Sequence, residues 1–266
     1  MTIRAGRHGL ATKGHRPWTE AESAYLAANY ERVPTMEIAR HLGRRHATIR
    51  EQADRLGLLS ASRRIRAGIV HDYFSVVDSP VKAYVLGLLT SDGWVSTRWN
   101  EIGIALHHKD RELVELVRDE LAPLTQVITR PDPDGRVGFR VSSPQMKRDL
   151  ASYGVTPRKS LTLRWPATLP PQLSAPFILG VFDGDGCLSF SKLQGYYDWS
   201  LVSASEPFLT AIQLKIKNGA GVKLRGPYQI SPTSRALRIE YRGPKTNLIE
   251  AWLNADIQGL ARKRIG

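Results

Sequence analysis

The sequence predicts an α+β protein: a pseudo-symmetric, duplicated core in which each half reads αββαββα, preceded by a small all-α domain. Three observations support this prediction. Residues 17–59 contain three short helical patterns, residues 78–266 repeat one order of helical and strand-like patterns, and each repeat opens with an apolar segment that ends in Asp-Gly. We therefore expect residues 78–172 and 173–266 to form two similar halves.

The composition favours a polyanionic partner. The 266 residues include 38 Lys and Arg against 25 Asp and Glu, a formal net charge of +13. This excess points most simply to nucleic acid, although a merely soluble basic protein has the same composition. The single cysteine excludes an internal disulfide framework and a cysteine-based zinc site. Without a membrane-spanning run or an apolar signal region, we expect a cytoplasmic, nucleoid-associated protein in a bacterial or phage-infected cell.

The small N-terminal domain is predicted over residues 17–59, after a basic tail (1–16) that we expect to be disordered. Thr19 and Glu22 predict a capping box at the first helix, and Gly43 predicts a turn between the second and third helices. The segment beginning WTEAESAYLAANY resembles Myb-like helix-turn-helix domains, with Trp18 as a core aromatic; a protein-binding helical module is the alternative. If the third helix enters the DNA major groove, the contacts are Arg44, Arg45, His46, Thr48 and Arg50.

A basic linker is predicted over residues 60–77. Arg63 and Arg64 lie in it without a clear apolar face. The segment is either a solvated tether or a strap along DNA phosphates, since phosphate contacts need only charge and reach.

Each half of the core is predicted to open with a proline at the first turn of a helix, at Ser79-Pro80 and at Ala175-Pro176. Two strands, an amphipathic helix, two more strands and a last proline-initiated helix follow. In the first half the predicted strands are 94–98, 101–107 and a pair that flanks the turn at 131–135, the second of the pair being 137–141. In the second half they are 187–192, 196–203, 222–228 and 235–241.

The two opening helices, YVLGLLTSDG and FILGVFDGDG, carry the strongest signal. They are apolar on nearly every side, which predicts that they are buried on nearly every side. A glycine in the middle of each, Gly87 and Gly180, is costly in a helix unless another backbone approaches closely. We therefore expect the two helices to pack against each other, so that Asp92 and Asp185 at their C-terminal ends meet near a pseudo-twofold axis.

Two carboxylates held together repel each other, and a divalent cation cancels that repulsion. Oxygen ligands without cysteine or clustered histidine favour Mg²⁺ or a similar hard ion such as Mn²⁺. Two such ions stabilise both the attacking and the leaving oxygen at a phosphodiester. Asp92 and Asp185 are therefore the predicted metal ligands and catalytic residues.

VLGLLTSDG (85–93) and ILGVFDGDG (178–186) resemble the two motifs of LAGLIDADG homing endonucleases. The resemblance covers residues 78–266 and implies that the motif helices form the interface between the halves, that Asp92 and Asp185 bind the catalytic metals, and that β-strands form a saddle along the DNA major groove. The sequence departs from the family pattern at Thr90, where the motif has Asp, and at Leu86 and Leu179, which replace a small residue.

The resemblance also implies a basic residue near the metals in each half. Lys159 in PRKS and Lys263 in ARKR occupy matching positions near the ends of the halves. They would stabilise phosphate charge or polarise water; the alternative is a surface lysine on the DNA backbone. Arg140 and Arg238, each on the final strand of its half and equivalent by position, are further candidates.

The strands are expected to contact DNA bases, with a solvated sheet face as the alternative. His107-His108 is expected to be a strand end and Cys187 a buried packing residue. The expected contacts are Arg98, Asn100, Lys192, Gln194, Tyr196, Lys223, Arg225, Gln229 and Arg235.

Together these features predict a monomeric, site-specific endonuclease that cuts both strands of a long, asymmetric DNA duplex site. The resemblance implies short 3′ overhangs and the homing of a mobile intron or a free-standing gene. Two alternatives remain open on the same fold, a catalytically silent DNA-binding regulator and an intron RNA maturase.

Overall fold

In the computed structural model the chain divides into two units, and the first, residues 1–67, contains three helices in its described part. They are α1 (Glu20–Asn29), α2 (Thr35–His41) and α3 (His46–Arg55). The predicted capping box begins α1, where the backbone N–H of Glu22 donates to Thr19 Oγ1 over 3.2 Å and the backbone N–H of Thr19 donates to Glu22 Oε2 over 3.0 Å. The core consists of Leu26, Tyr30, Ile38, Ala39, Ile49 and Ala53, and Trp18 packs against it as predicted.

The structure describes residues 16–30, 32–58, 68–129 and 135–265. The second unit comprises residues 68–266. The predicted tail before residue 16, Arg63 and Arg64 of the predicted linker, and most of the predicted turn at 131–135 lie outside the described residues. In the described part, no helix is long and apolar enough to cross a membrane.

The first half of the second unit has the predicted αββαββα order. A short 3-10 turn at His108–Asp110 precedes the amphipathic helix. Its elements are α4 (Pro80–Ser91), β1 (Gly93–Val95), β2 (Glu101–His107), α5 (Arg111–Leu121), β3 (Ile128–Thr129), β4 (Arg136–Ser142) and α6 (Pro144–Ser152).

The second half repeats this order, and each half forms one antiparallel sheet. The strands are arranged β1-β2-β4-β3 in the first sheet and, by the same path, β5-β6-β8-β7 in the second, so the duplication is confirmed. The elements of the second half are α7 (Ser174–Asp185), β5 (Gly186–Ser191), β6 (Tyr196–Ser203), α8 (Glu206–Ala220), β7 (Tyr228–Gln229), β8 (Leu237–Arg242) and α9 (Pro244–Leu253).

Two strands are shorter than predicted, for local reasons. The first strand ends at Val95 because Ser96 Oγ accepts the backbone N–H groups of Arg98 and Trp99, at 3.3 and 3.0 Å, which bends the chain into a turn. The strand predicted over 222–228 is reduced to β7, since Gly226 has a φ of +87° and Pro227 has no N–H to donate to a ladder.

Residues 68–77, which the sequence predicts to belong to a linker, pack against the first half. Ile69, Tyr73, Phe74 and Val77 belong to its buried core. The Tyr73 hydroxyl donates to Glu120 over 2.8 Å. This part of the segment is therefore fixed by apolar burial.

The two opening helices, α4 and α7, pack at backbone contact. A Cβ added to Gly87 would lie 2.2 Å from the carbonyl oxygen of Phe177, and one added to Gly180 would lie 2.1 Å from that of Tyr84. The helices are buried along most of their length, as the apolar pattern predicts. The close approach explains both glycines, and it places the C-terminal ends of the helices side by side.

We predict that Gly87→Ala destabilises the protein by about 2–3 kcal/mol, because the methyl group meets backbone atoms that cannot rotate away. The measurement is the free energy of unfolding by chemical denaturation. Alanine has the higher helix propensity. A more stable variant would therefore contradict the close packing of α4 and α7.

Candidate active site

Asp92 and Asp185 lie together at the ends of the packed helices. Asp92 is the C-cap of α4 and Asp185 is the last residue of α7. A Cβ on Gly184 would lie 2.3 Å from Asp92 Oδ2, so the carboxylate of the first half rests against the backbone next to Asp185. Asp92 is half-buried and also borders a cavity of about 360 Å³, whereas Asp185 is exposed.

The surroundings of the two acids disfavour their negative charges. Loss of hydration of the carboxyl group beside the packed helix ends and, second, the charge of Asp92 together raise the pKa of Asp185 to about 6, although Lys159 and Lys263 oppose the increase. Burial also raises the pKa of Asp92, again against the two lysines, and Asp110 adds to the increase. The two lysines therefore offset the effects of lost hydration and of the neighbouring acids only in part.

The two predicted lysines are buried beside the acids, with relative exposures of 8% for Lys159 and 7% for Lys263. Their ammonium groups donate to carbonyls at the ends of the opening helices. Lys159 bonds the carbonyls of Ser91, over 3.4 Å, and Gly93. Lys263 bonds the carbonyls of Phe182, Asp183, Gly184 and Gly186 at 3.1, 2.7, 3.2 and 2.7 Å.

Three of these carbonyls, those of Ser91, Asp183 and Gly184, lie in the last turns of the two helices, where a helix leaves carbonyls without partners at the negative end of its dipole. Loss of hydration lowers the pKa of both lysines, although nearby carboxylates oppose the change, with Asp185 first for Lys159 and Asp183 first for Lys263. Each lysine thus has a structural role beside its position near the acids.

The site suits a hard divalent cation. Among the described residues, no group of three or more His, Cys, Asp and Glu side chains could hold a metal ion. Two carboxylates whose charges are incompletely compensated are the oxygen ligands that a hard divalent cation takes, with water completing its shell. Asp92 and Asp185 would hold it.

Asp183 is a site residue whose role the sequence did not reveal. Its Oδ2 accepts the Tyr84 hydroxyl over 2.6 Å and the backbone N–H of Leu260 over 2.8 Å. Its counterpart Thr90 donates its hydroxyl within α4, to the carbonyl of Leu86 over 2.8 Å. The one available signal was the difference between the motifs at this position.

The sheet register corrects the predicted equivalence of Arg140 and Arg238. Ile104 pairs with Gly93 and Phe139 in the first sheet. In the second sheet, Leu201 pairs with Gly186 and Ile239. Since Phe139 therefore corresponds to Ile239, Arg140 corresponds to Glu240 and Arg238 to Gly138.

The arginines of the open sheet faces are paired with acids. Arg140 lies 3.6 Å from Glu101, and Arg238 lies 3.5 Å from Glu240.

Cys187, expected to be buried, is exposed, because it lies opposite Ser200 in the sheet, one residue out of step with the buried Leu201. The other expected DNA contacts are exposed or half-exposed: Arg98, Asn100, Lys192, Gln194, Tyr196, Lys223, Arg225, Gln229 and Arg235.

In the first unit, the Arg44 side chain is covered and paired within the protein, so it has a structural role and is not on the surface available to DNA. Its side chain is 5% exposed, donates to Glu22 and to the carbonyl of Pro17, both over 2.7 Å, and lies 4.2 Å from the centre of the Trp18 ring. The same guanidinium holds the pKa of Glu22 at about 2. The other expected contacts remain accessible: Arg45, His46 and Arg50 are exposed and Thr48 is half-buried.

No protein-family model matches this sequence, and the search of curated proteins found no match. Solved structures show similarity at low sequence identity. I-DmoI in complex with DNA and Mn is 16% identical with a TM-score of 0.45, covering 66% of this chain and 97% of that one. The N-terminal LAGLIDADG domain of DUF199/WhiA is 14% identical with a TM-score of 0.41, covering 72% and 89%.

The I-LtrWI LAGLIDADG homing endonuclease bound to target DNA is 12% identical with a TM-score of 0.40, covering 68% of this chain and 85% of that one. The latter two are named for the family that the two motifs resemble. At these identities and scores the similarity concerns the arrangement of the chain and does not extend to its chemistry.

We predict that Arg44→Ala lowers the free energy of opening of the first unit by about 1.5–3 kcal/mol, because it removes charged hydrogen bonds made by a covered side chain. The measurement is amide hydrogen exchange in α1 and α3 of the full chain. Arg50→Ala, which removes an exposed arginine, is the control and should exchange like the unmodified protein. Equal exchange in all three proteins would contradict the structural role of Arg44.

We predict that Asp185→Asn stabilises the metal-free protein at pH 8. The folded-state pKa of about 6 lies above the ordinary value of 3.8, so the unfolded chain releases this proton at a lower pH than the folded protein does. The free energy of unfolding therefore falls as the pH rises from 3.8 to about 6, and the full loss is present above that range. The gain in melting temperature should therefore shrink towards pH 4. A gain that does not change with pH would contradict the assignment.

A matched control is Glu250→Gln. Burial raises the pKa of Glu250 to about 7, so this variant should show a similar pH-dependent gain. Millimolar Mg²⁺ at pH 8 should raise the melting temperature of the unmodified protein and of Glu250→Gln but not that of Asp185→Asn. An equal increase in all three would place the cation elsewhere.

Proposed function

We propose that this protein is a site-specific, divalent-metal-dependent DNA endonuclease that hydrolyses both strands of a duplex. The observation that carries the proposal is the meeting of Asp92 and Asp185 at the ends of two helices packed at backbone contact. Each half contributes one acid and one buried lysine. Such a paired arrangement suits two scissile phosphates, one on each strand.

The protein's own groups would divide the work as follows. Asp92 and Asp185 would hold divalent cations, whose chemistry is to stabilise developing negative charge on phosphodiester oxygens. Lys159 and Lys263 fix the helix ends that carry the acids and add positive charge beside them. The packing of α4 against α7 sets the separation of the acids before any substrate binds.

The open faces of the two sheets are the proposed DNA-binding surface. A strand ribbon fits the major groove, and the net charge of +13 favours a phosphate-rich partner. Because Arg140 corresponds to Glu240 and Arg238 to Gly138, the halves present different groups to the bases. This difference supports a long, asymmetric target site, and two acids in one chain support a monomer.

The first unit is proposed to be a helix-turn-helix that binds DNA in addition. Its exposed Arg45, His46 and Arg50 lie at or near the N-terminal end of α3. A tethered second DNA-binding module raises the effective concentration of the first and lengthens the recognised site. Deletion of this unit should therefore weaken DNA binding and leave the cleavage step intact.

We predict discrete double-strand ends when the purified protein is incubated with a randomised or genomic duplex library and Mg²⁺. Asp92→Asn and Asp185→Asn should each reduce the cleavage rate by about a thousandfold, which corresponds to the several kcal/mol that a metal ion supplies. The measurement is sequencing of the new ends, followed by timed cleavage of the site found.

The control is Asp256→Asn, which removes an exposed carboxylate after α9 and should cleave normally. Chelation of divalent ions should stop the reaction in every variant. Binding of a duplex site without cutting would overturn the nuclease in favour of a regulator. Preferential binding of structured RNA without DNA cutting would favour a maturase.

A further inference from the structure

Residues 258–265, here called the second lysine segment, carry Lys263 and are tied down at several points. The backbone N–H of Gly259 donates to Asn254 Oδ1 over 3.2 Å, and that of Leu260 donates to Asp183 Oδ2 over 2.8 Å. Both partners belong to the second half. The segment is therefore anchored to its own half up to the residues that precede Lys263.

A further contact crosses to the first half. The guanidinium of Arg262 donates through Nε and Nη2 to the two carboxylate oxygens of Asp110, both over 2.8 Å. The Asp110 side chain is only 16% exposed, whereas that of Arg262 is 52% exposed. Two parallel charged bonds fix orientation as well as distance, which a single bond does not.

The other half contains a reciprocal contact. Asp110 lies directly before α5, and Ser205 occupies the same place directly before α8. The buried Ser205 hydroxyl donates to the carbonyl of Leu163 over 2.6 Å. Leu163 belongs to residues 154–165, here called the first lysine segment, which carry Lys159. The residue before the amphipathic helix of each half thus holds the lysine segment of the other half.

We propose that Asp110 is a positioning residue that, through Arg262, holds the active-site Lys263 in place across the interface between the two halves. The proposal rests on the proposed nuclease function. Arg262 is adjacent to Lys263 in the chain, so a fixed Arg262 limits the path of the backbone from which Lys263 reaches four carbonyls. Asp110 also borders the cavity next to Asp92.

This arrangement couples the two halves. Each lysine caps the opening helix of its own half, but the segment that carries it is also held by a residue of the other half. A shift of one half relative to the other would therefore move a lysine against the acids. Catalytic geometry is sensitive to shifts of about 1 Å, so the loss of one contact should affect the cleavage step more than DNA binding.

The first test is amide hydrogen exchange of the peptide containing Leu260 in the DNA-free, full-length protein. The variants are Asp110→Asn, Arg262→Gln and the charge-exchanged double variant Asp110→Arg with Arg262→Asp. Glu115→Gln is the matched control, since it removes an exposed carboxylate that accepts from Arg111 over 2.6 Å on the same helix. We expect exchange to be about two- to fivefold faster in the two single variants and unchanged in the control.

Restoration of slow exchange in the double variant would support the direct pairing of the two side chains. Exchange in both single variants at the rate of the unmodified protein would overturn the proposal. This readout needs neither DNA nor metal, so it remains decisive if the protein proves not to cut DNA, an outcome that would refute only the proposed function.

The second test separates cleavage from binding on the target site. Asp110→Asn and Arg262→Gln should reduce the single-turnover cleavage rate at saturating protein about tenfold, with the DNA dissociation constant changed by less than about threefold. A weaker dissociation constant with an unchanged cleavage rate would show that the pair only contacts DNA, and the positioning role would be refuted.

Discussion

The packing of α4 against α7 at backbone contact is the constraint on which the rest of the structure depends. Gly87 and Gly180 permit it, because a Cβ at either position would overlap a carbonyl oxygen of the facing helix. The close approach brings the C-terminal ends of both helices to one place. It therefore joins the two halves and also assembles the pair of acids, so stability and the candidate chemistry depend on the same contact.

This arrangement creates an electrostatic problem at the helix ends. Two carboxylates, Asp92 and Asp185, lie where unpaired carbonyls already concentrate negative charge. The buried Lys159 and Lys263 compensate in part by bonding those carbonyls. The pKa of Asp185 is still raised, first by loss of hydration and then by Asp92, so the two lysines offset these effects only in part; the proposed divalent cation would add positive charge there.

The two halves share the same strand order but carry different side chains at equivalent positions. Both sheets follow the same strand order, but Asp183 in one motif corresponds to Thr90 in the other, and only Asp183 binds the segment that carries a lysine. The open sheet faces differ in the same way. The two halves therefore share one backbone arrangement and present different side chains, as the proposed asymmetric target would require.

Three features could be predicted from the sequence: the αββαββα order, the close packing of the opening helices and the meeting of Asp92 with Asp185. They follow from apolar periodicity and from a glycine in a buried helix, which are local signals with one economical explanation. The sequence did not determine the burial of Arg44, the register that separates Arg140 from Arg238, or the contact of Asp110 with Arg262. Those features depend on distances between residues far apart in the chain, where a charged side chain has many equivalent partners in sequence. Only the tertiary structure selects one of them.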